Sequence, residues 1–144
     1  MDAIDFLTKE HEKVRNAFAE IKDESHREET QRKLFDTLCP MLIRHETMEQ
    51  KLWYPRLKKF NNLDKIIKHL ISEEKDAEKM IKELKKVNEH QAWEKKLVKL
   101  NNDVERHASE EEERLFPKVA EMLSEKELKE IGREMQELAK SVSH

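Results

Sequence analysis

His45–Pro55, HETMEQKLWYP, has a second copy further along the chain at His107–Pro117, HASEEEERLFP. In both copies a His is followed four places on by a Glu, then by an aromatic or apolar pair, then by Pro. His45 therefore matches His107, Glu49 matches Glu111, Trp53 and Tyr54 match Leu115 and Phe116, and Pro55 matches Pro117. On a helix, residues i and i+4 lie one above the other on the same face, so each copy aims an imidazole and a carboxylate in one direction. A repeat built around such a pair predicts one shared site rather than two separate ones.

The flanking sequence has helical apolar spacing throughout. A first helix is expected from Asp2, a plausible N-cap, to Asp23, with Ile4, Leu7, Val14, Phe18 and Ile21 on one stripe and His11 in its vacant place. A second carries Leu34, Leu38, Met41 and Leu42, then His45 and Glu49, then Leu52. Pro40 and Pro55 fall inside this run, and an interior Pro removes a backbone bond and crowds the preceding turn. A bend or local break is expected near Pro55. After a turn at Asn61-Asn62, a third helix presents Leu63, Ile67, Leu70, Ala77, Ile81 and Leu84, with Glu74 where an apolar residue is due. Its neighbours Glu73 and Lys75 are expected to point away from the stripe. A turn within 88–91 leads to a fourth helix carrying Trp93, Leu97, Leu100 and Val104, then His107 and Glu111, then Leu115, Val119 and Met122. Ser124 and Glu127 read as a capping box that opens a short amphipathic fifth helix, packed on the bundle's end or side. The expected fold is all-α: an antiparallel up-down four-helix bundle of two repeated helical hairpins plus the short C-terminal helix, as one domain over 1–144.

Composition agrees. One Gly, three Pro and 42% charged residues in 144 leave too few turn residues for a β protein. The 36% hydrophobic residues are periodic rather than scattered, which excludes disorder. A net charge of −3 with mixed signs offers no basic patch for nucleic acid. The single cysteine, Cys39, excludes an internal disulfide or thiolate cluster and reads as a core residue. No apolar run reaches the ~18 residues of a membrane span, and the N-terminus has no signal-peptide core. The expected location is cytoplasmic.

The residues that interrupt the four stripes are His11, His45, Glu49, Glu74, His107 and Glu111. Each buried charge costs several kcal/mol, and no Lys or Arg shares these stripes. Left uncompensated, the set would rival the ~5–15 kcal/mol that stabilises a whole domain. Cations resolve the conflict. Imidazole and carboxylate without sulfur suit iron, manganese or zinc. Six protein ligands are too many for one tetrahedral zinc, and suit two octahedral ions bridged by Glu49 and Glu111 with a solvent-derived oxygen. The spacing is His-x-x-x-Glu, not the Glu-x-x-His of ferritin-like di-iron proteins.

With Leu7-x-x-Glu10-His11, His45-Glu46-x-x-Glu49 before Trp53-Tyr54-Pro55, and His107-x-x-x-Glu111 before Leu115-Phe116-Pro117, the chain resembles the hemerythrin-like, or HHE cation-binding, family. The resemblance implies a four-helix bundle around a non-haem di-iron centre that binds O2 reversibly or reacts with it. One position departs. The family usually places a His on the third helix in a Glu-His step, and here that step is Glu74-Lys75. Glu74 as a ligand would favour the ferric state and weaken reversible O2 carriage. His69, the alternative imidazole on that helix, flanks the stripe. His26, His90 and His144 read as solvent-exposed, and Trp53 and Tyr54 as bundle-end packing. The expected function is a di-iron protein that binds, senses or reacts with O2 or another small diatomic or oxidant, or holds iron, rather than a dedicated enzyme. The alternatives are nitric oxide or peroxide handling, iron-cluster repair, and a structural or partner-binding bundle whose site has degenerated, with Lys75 as its sign.

Overall fold

The computed structural model describes residues 1–142, and among them it contains helices and no strand. The elements are α1 (Ala3–Ile21), α2 (Glu28–Met48), a π-helical turn (Glu49–Trp53), α3 (Tyr54–Leu57), a 3-10 turn (Asn61–Leu63), α4 (Asp64–Lys86), α5 (His90–Glu110), a second π turn (Glu111–Leu115), α6 (Phe116–Met122) and α7 (Glu125–Val142). Helix α1 packs chiefly on α2 and α7, and α4 packs on α5.

Local chemistry sets the ends. The Asp2 carboxylate accepts from the Asp5 amide at 2.8 Å and caps α1. Glu89 does the same for α5, accepting from the Gln91 and Ala92 amides. The capping box before α7 is formed in both directions: Glu127 N–H donates to Ser124 Oγ at 3.1 Å, and Ser124 N–H donates to Glu127 Oε1 at 3.2 Å. With 18 residues, α7 is not short. It buries Leu128, Ile131 and Met135 against the N-terminal end of α1.

The helix is not broken at Pro55. It widens instead, and it does so identically in both copies of the repeat. Tyr54 N–H bonds to the Glu49 carbonyl and Phe116 N–H to the Glu111 carbonyl, five residues back. The next residue in each case is Pro, which has no N–H and whose ring crowds the carbonyl four residues earlier. The wider turn relieves that clash. Proline alone does not produce it, because Pro40 is accommodated inside α2 without widening. Each π turn inserts one residue into the helical phase, so that Trp53 and Tyr54 both face inward, at 0% and 1% exposure.

The apolar core is in two parts. One holds Leu7, Met48, Leu70, Leu115 and the inner face of α7; the other holds Val14, Leu42, Ala77 and Leu100. Between the two, on each of the four long helical runs, lie the polar residues His11, His45 with Glu49, Glu74, and His107 with Glu111, all buried. Cys39 is buried in the second part, as expected of a core residue.

Candidate metal centre

All six residues that interrupt the stripes converge on this layer. Nε2 of His45 lies 3.0 Å from Glu49 Oε1, and Nε2 of His107 lies 3.6 Å from the same oxygen. Glu111 Oε1 sits in the same way between two rings, 3.1 Å from His107 Nε2 and 3.4 Å from His11 Nε2. Glu74 Oε2 is 3.2 Å from His107 Nε2. Donor atoms of His11, His45 and Glu111 lie within 4.8 Å of one another, as do those of Glu49, His107 and Glu111. Each trio could hold a cation, and Glu111 belongs to both.

Six of the inward atoms make no hydrogen bond. Both oxygens of Glu49, both oxygens of Glu111, and Nε2 of His11 and His45 are buried without a hydrogen bond. Glu49 and Glu111 are 0% exposed. Buried carboxylate oxygens are hydrogen-bonded or coordinate metal, so this donor set fits a bound cation.

The outward nitrogens are satisfied, each by a further carboxylate. His11 Nδ1 bonds to Glu112 Oε2 at 2.7 Å, His45 Nδ1 to Glu10 Oε1 at 3.4 Å, and His107 Nδ1 to Glu73 Oε1 at 3.1 Å. Metal-ligating imidazoles characteristically hold their second nitrogen this way, which fixes the ring and raises its basicity. Glu112 is itself gripped by Arg15, whose Nη1 and Nη2 donate to its two oxygens at 3.1 and 3.0 Å. Glu73 does not point away from the site, as its place beside the stripe suggested, because α5 packs close enough for His107 to reach it. Lys75 is exposed, as expected.

Tyr54 also belongs to the layer rather than to the bundle end. Its hydroxyl donates to Glu74 Oε2 at 3.3 Å and lies 3.5 Å from His107 Nε2. Gln50 Nε2 donates to the other Glu74 oxygen at 3.0 Å. The matching residue in the second copy, Phe116, stacks on the His11 ring at 6.0 Å. The two halves of the repeat thus differ at this point, with a hydroxyl beside His107 and a bare ring beside His11.

Electrostatics follow from burial and crowding. Burial, reinforced by the Glu49 charge, pushes Glu74 up to about 8. Burial likewise pushes up Glu111, but Glu49, His107 and His11 outweigh it and hold Glu111 below the usual carboxylate range. Burial lowers His45 and His107, yet the carboxylates around them raise both well above an ordinary imidazole. His11 is raised against burial by Glu111 and Glu112. Its bond to His11 holds Glu112 down to about 2. Each of these raised groups favours its protonated form in the metal-free chain, and metal binding would release those protons.

The remaining histidines sit elsewhere. His69 is exposed, between Glu73 and Glu110. His26 is only partly exposed, paired with Glu20. His90 is not solvent-exposed as expected: it stacks on Trp93 at 5.8 Å and is 19% exposed. His144 lies outside the described residues. Among the described residues, no helix is long and apolar enough to cross a membrane.

The family model for the Hemerythrin HHE cation binding domain matches residues 2–119, a span that contains every residue of the layer and stops short of α7. No curated protein and no solved structure gave a significant match to the chain.

Proposed function

Because the chain belongs to the hemerythrin HHE cation-binding family, we propose that it is a non-haem di-iron protein that binds, senses or reacts with O2. His11, His45, Glu49, Glu74, His107 and Glu111 would hold the two ions. The observation that carries this reading is the set of buried inward oxygens on Glu49 and Glu111 that make no hydrogen bond, each carboxylate standing between two imidazoles. Carboxylates so placed would be open to two neighbouring cations. An antiparallel up-down course of the four long helical runs is part of the proposal, supported by the pairing of α1 with α2 and α4 with α5 across the short connections 22–27 and 87–89.

When bound, a pair of iron ions supplies the electrons for O2 chemistry. The protein's own residues do the rest. His11, His45 and His107 are held to one tautomer and orientation by Glu112, Glu10 and Glu73. Tyr54 and Gln50 fix the Glu74 carboxylate. The Tyr54 hydroxyl holds a proton within reach of the centre, while the opposite half, against Phe116, offers no donor from that position. Two small cavities of about 30 and 40 Å³, both lined by Leu42, His45, Val104 and His107, flank the layer. They suit diatomic molecules better than organic substrates.

A second reading is favoured by Glu74. A carboxylate in place of the family's usual third-helix imidazole, with Tyr54 bonded to it, supports oxidative reaction with O2, peroxide or nitric oxide over reversible O2 carriage.

The test is metal per chain on protein produced with iron, with the absorption spectrum in air. Two irons and near-ultraviolet charge-transfer absorption that bleaches on anaerobic reduction are expected. A colourless chain that retains at most one metal after aerobic iron reconstitution would overturn the reading.

A further inference from the structure

On the outer side of α4 and α5 a second group of metal-ligating side chains lies against the centre. His69 Nε2 is 3.4 Å from Glu73 Oε2, one turn along α4, and 3.1 Å from Glu110 Oε2 on α5. Ligand atoms of the three lie within 4.8 Å of one another. His69 is 59% exposed, so the group opens to water.

We propose that His69, Glu73 and Glu110 form a surface site for a divalent transition-metal ion, from which the inner centre is loaded. One imidazole and two carboxylates, drawn from two helices and open on one side, match the ligand types that bind zinc, cobalt(II) or ferrous iron with water completing the shell. The competing cation is weakly held. Arg106 Nε donates to Glu73 Oε2 at 3.2 Å, but Arg106 is 57% exposed. Glu73 is 9% exposed, so the pair is open to water on the Arg106 side alone, and an arriving ion takes the place of the guanidinium, which can swing into solvent.

The position suggests the role. Glu73 offers one oxygen to this group and its other, Oε1, to Nδ1 of His107, whose Nε2 faces the centre. A single carboxylate thus touches both places. Glu49 and Glu111 are fully buried, so an ion cannot reach them from solvent without passing a side chain. Drawing Glu73 onto an outer ion weakens its hold on the His107 ring, which can then turn to admit the ion.

The loading role rests on the di-iron reading of the inner centre, whereas the surface binding does not. Tag-free full-length protein, already loaded with iron, is titrated with Co2+ and followed by its visible absorption. One further equivalent is expected to bind, and to be lost in His69→Ala and in Glu110→Gln. Arg106→Gln should tighten it, the opposite sign. Stopped-flow uptake of Fe2+ by chelator-stripped protein should be several-fold slower in His69→Ala and reach the same final iron content. Identical Co2+ titrations for the parent and His69→Ala would overturn the site, and identical uptake rates would overturn its loading role. If the inner centre held no iron at all, that would appear as absent iron, while the Co2+ difference could still be read.

Discussion

The Tyr54 hydroxyl donates to Glu74 Oε2 at 3.3 Å, joining the residue that follows the first π turn to the residue that α4 places in the buried layer. Tyr54→Phe keeps the ring and its packing but removes that donor. The expected outcome is an unchanged far-ultraviolet dichroism spectrum and two metals per chain, with altered charge-transfer absorption and an altered rate of reaction with O2. Glu74→Leu should instead leave one metal, since the carboxylate that α4 contributes beside His107 is gone. Equal metal content in Glu74→Leu and the parent would remove Glu74 from the ligand set.

Why Tyr54 was hidden in the sequence, when Glu74 was not, is a matter of helical phase. Glu74 interrupts an unbroken three-four rhythm on α4, so the gap between Leu70 and Ala77 marks it. Tyr54 follows the π turn, and a regular α period places Trp53, not Tyr54, over Glu49. The only sequence signal for the extra residue is Pro55, and Pro40 shows that proline does not always widen a helix. The outer carboxylates were hidden for a different reason. Glu10, Glu73 and Glu112 each adjoin an inward residue in sequence, yet Glu110–Glu113 is a run of four acids that local pattern does not sort. Only the approach of His11 from α1 selects Glu112 from among them. His90 likewise reads as a turn residue until Trp93, one helical turn on, is seen to stack on it.

Glu112 is expected to matter for metal affinity although it is not placed to touch an ion. It accepts from His11 Nδ1 at 2.7 Å and is clamped by Arg15. Loss of such an outer partner typically weakens metal binding by about 10–100-fold. Competition titration against a chromophoric chelator should show a change of that order for Glu112→Gln. Glu12→Gln, which removes an exposed carboxylate bonded only to Arg15 at 2.9 Å, should show none. A Glu112→Gln affinity within twofold of the parent would mean that His11 is held by packing alone.

The single glycine fixes how α7 docks. A Cβ on Gly132 would lie 2.5 Å from the Met1 carbonyl oxygen and 2.7 Å from the Asp2 carbonyl carbon, both backbone atoms. Alanine favours a helix interior by about 1 kcal/mol over glycine, whereas overpacking of this kind costs about 1–3 kcal/mol. The clash should win, because relief means lifting α7 from the end of α1. With a net cost of about 1–2 kcal/mol, Gly132→Ala is expected to lower Tm by about 2–8 °C on the scale of 2–4 °C per kcal/mol for a chain of this size, with metal content unchanged. A Tm equal to or above the parent's would show that the N-terminus yields without cost.

Glu46 gives the metal-free protein a pH dependence of defined sign. It is buried beside Glu74 and Glu78, and its Oε2 has no partner. Burial, then the charges of Glu74 and Glu78, pushes it from 4.5 up to about 10. Between those values the folded chain keeps a proton that the unfolded chain has released, so stability falls as pH rises through that window. Below 4.5 both states are protonated and the penalty vanishes. Glutamine imitates the neutral acid and cannot ionise. The Tm of metal-free Glu46→Gln should therefore match the parent's near pH 4.5 and exceed it increasingly towards pH 9, by several degrees once taking up that proton on folding costs ~2 kcal/mol. The comparison requires chelator-stripped protein, because a cation in the centre would itself favour an ionised Glu46. A Tm difference that stays constant across this range would mean that Glu46 ionises in the folded state as readily as in the unfolded one, with water or Lys reaching the carboxylate that burial otherwise isolates.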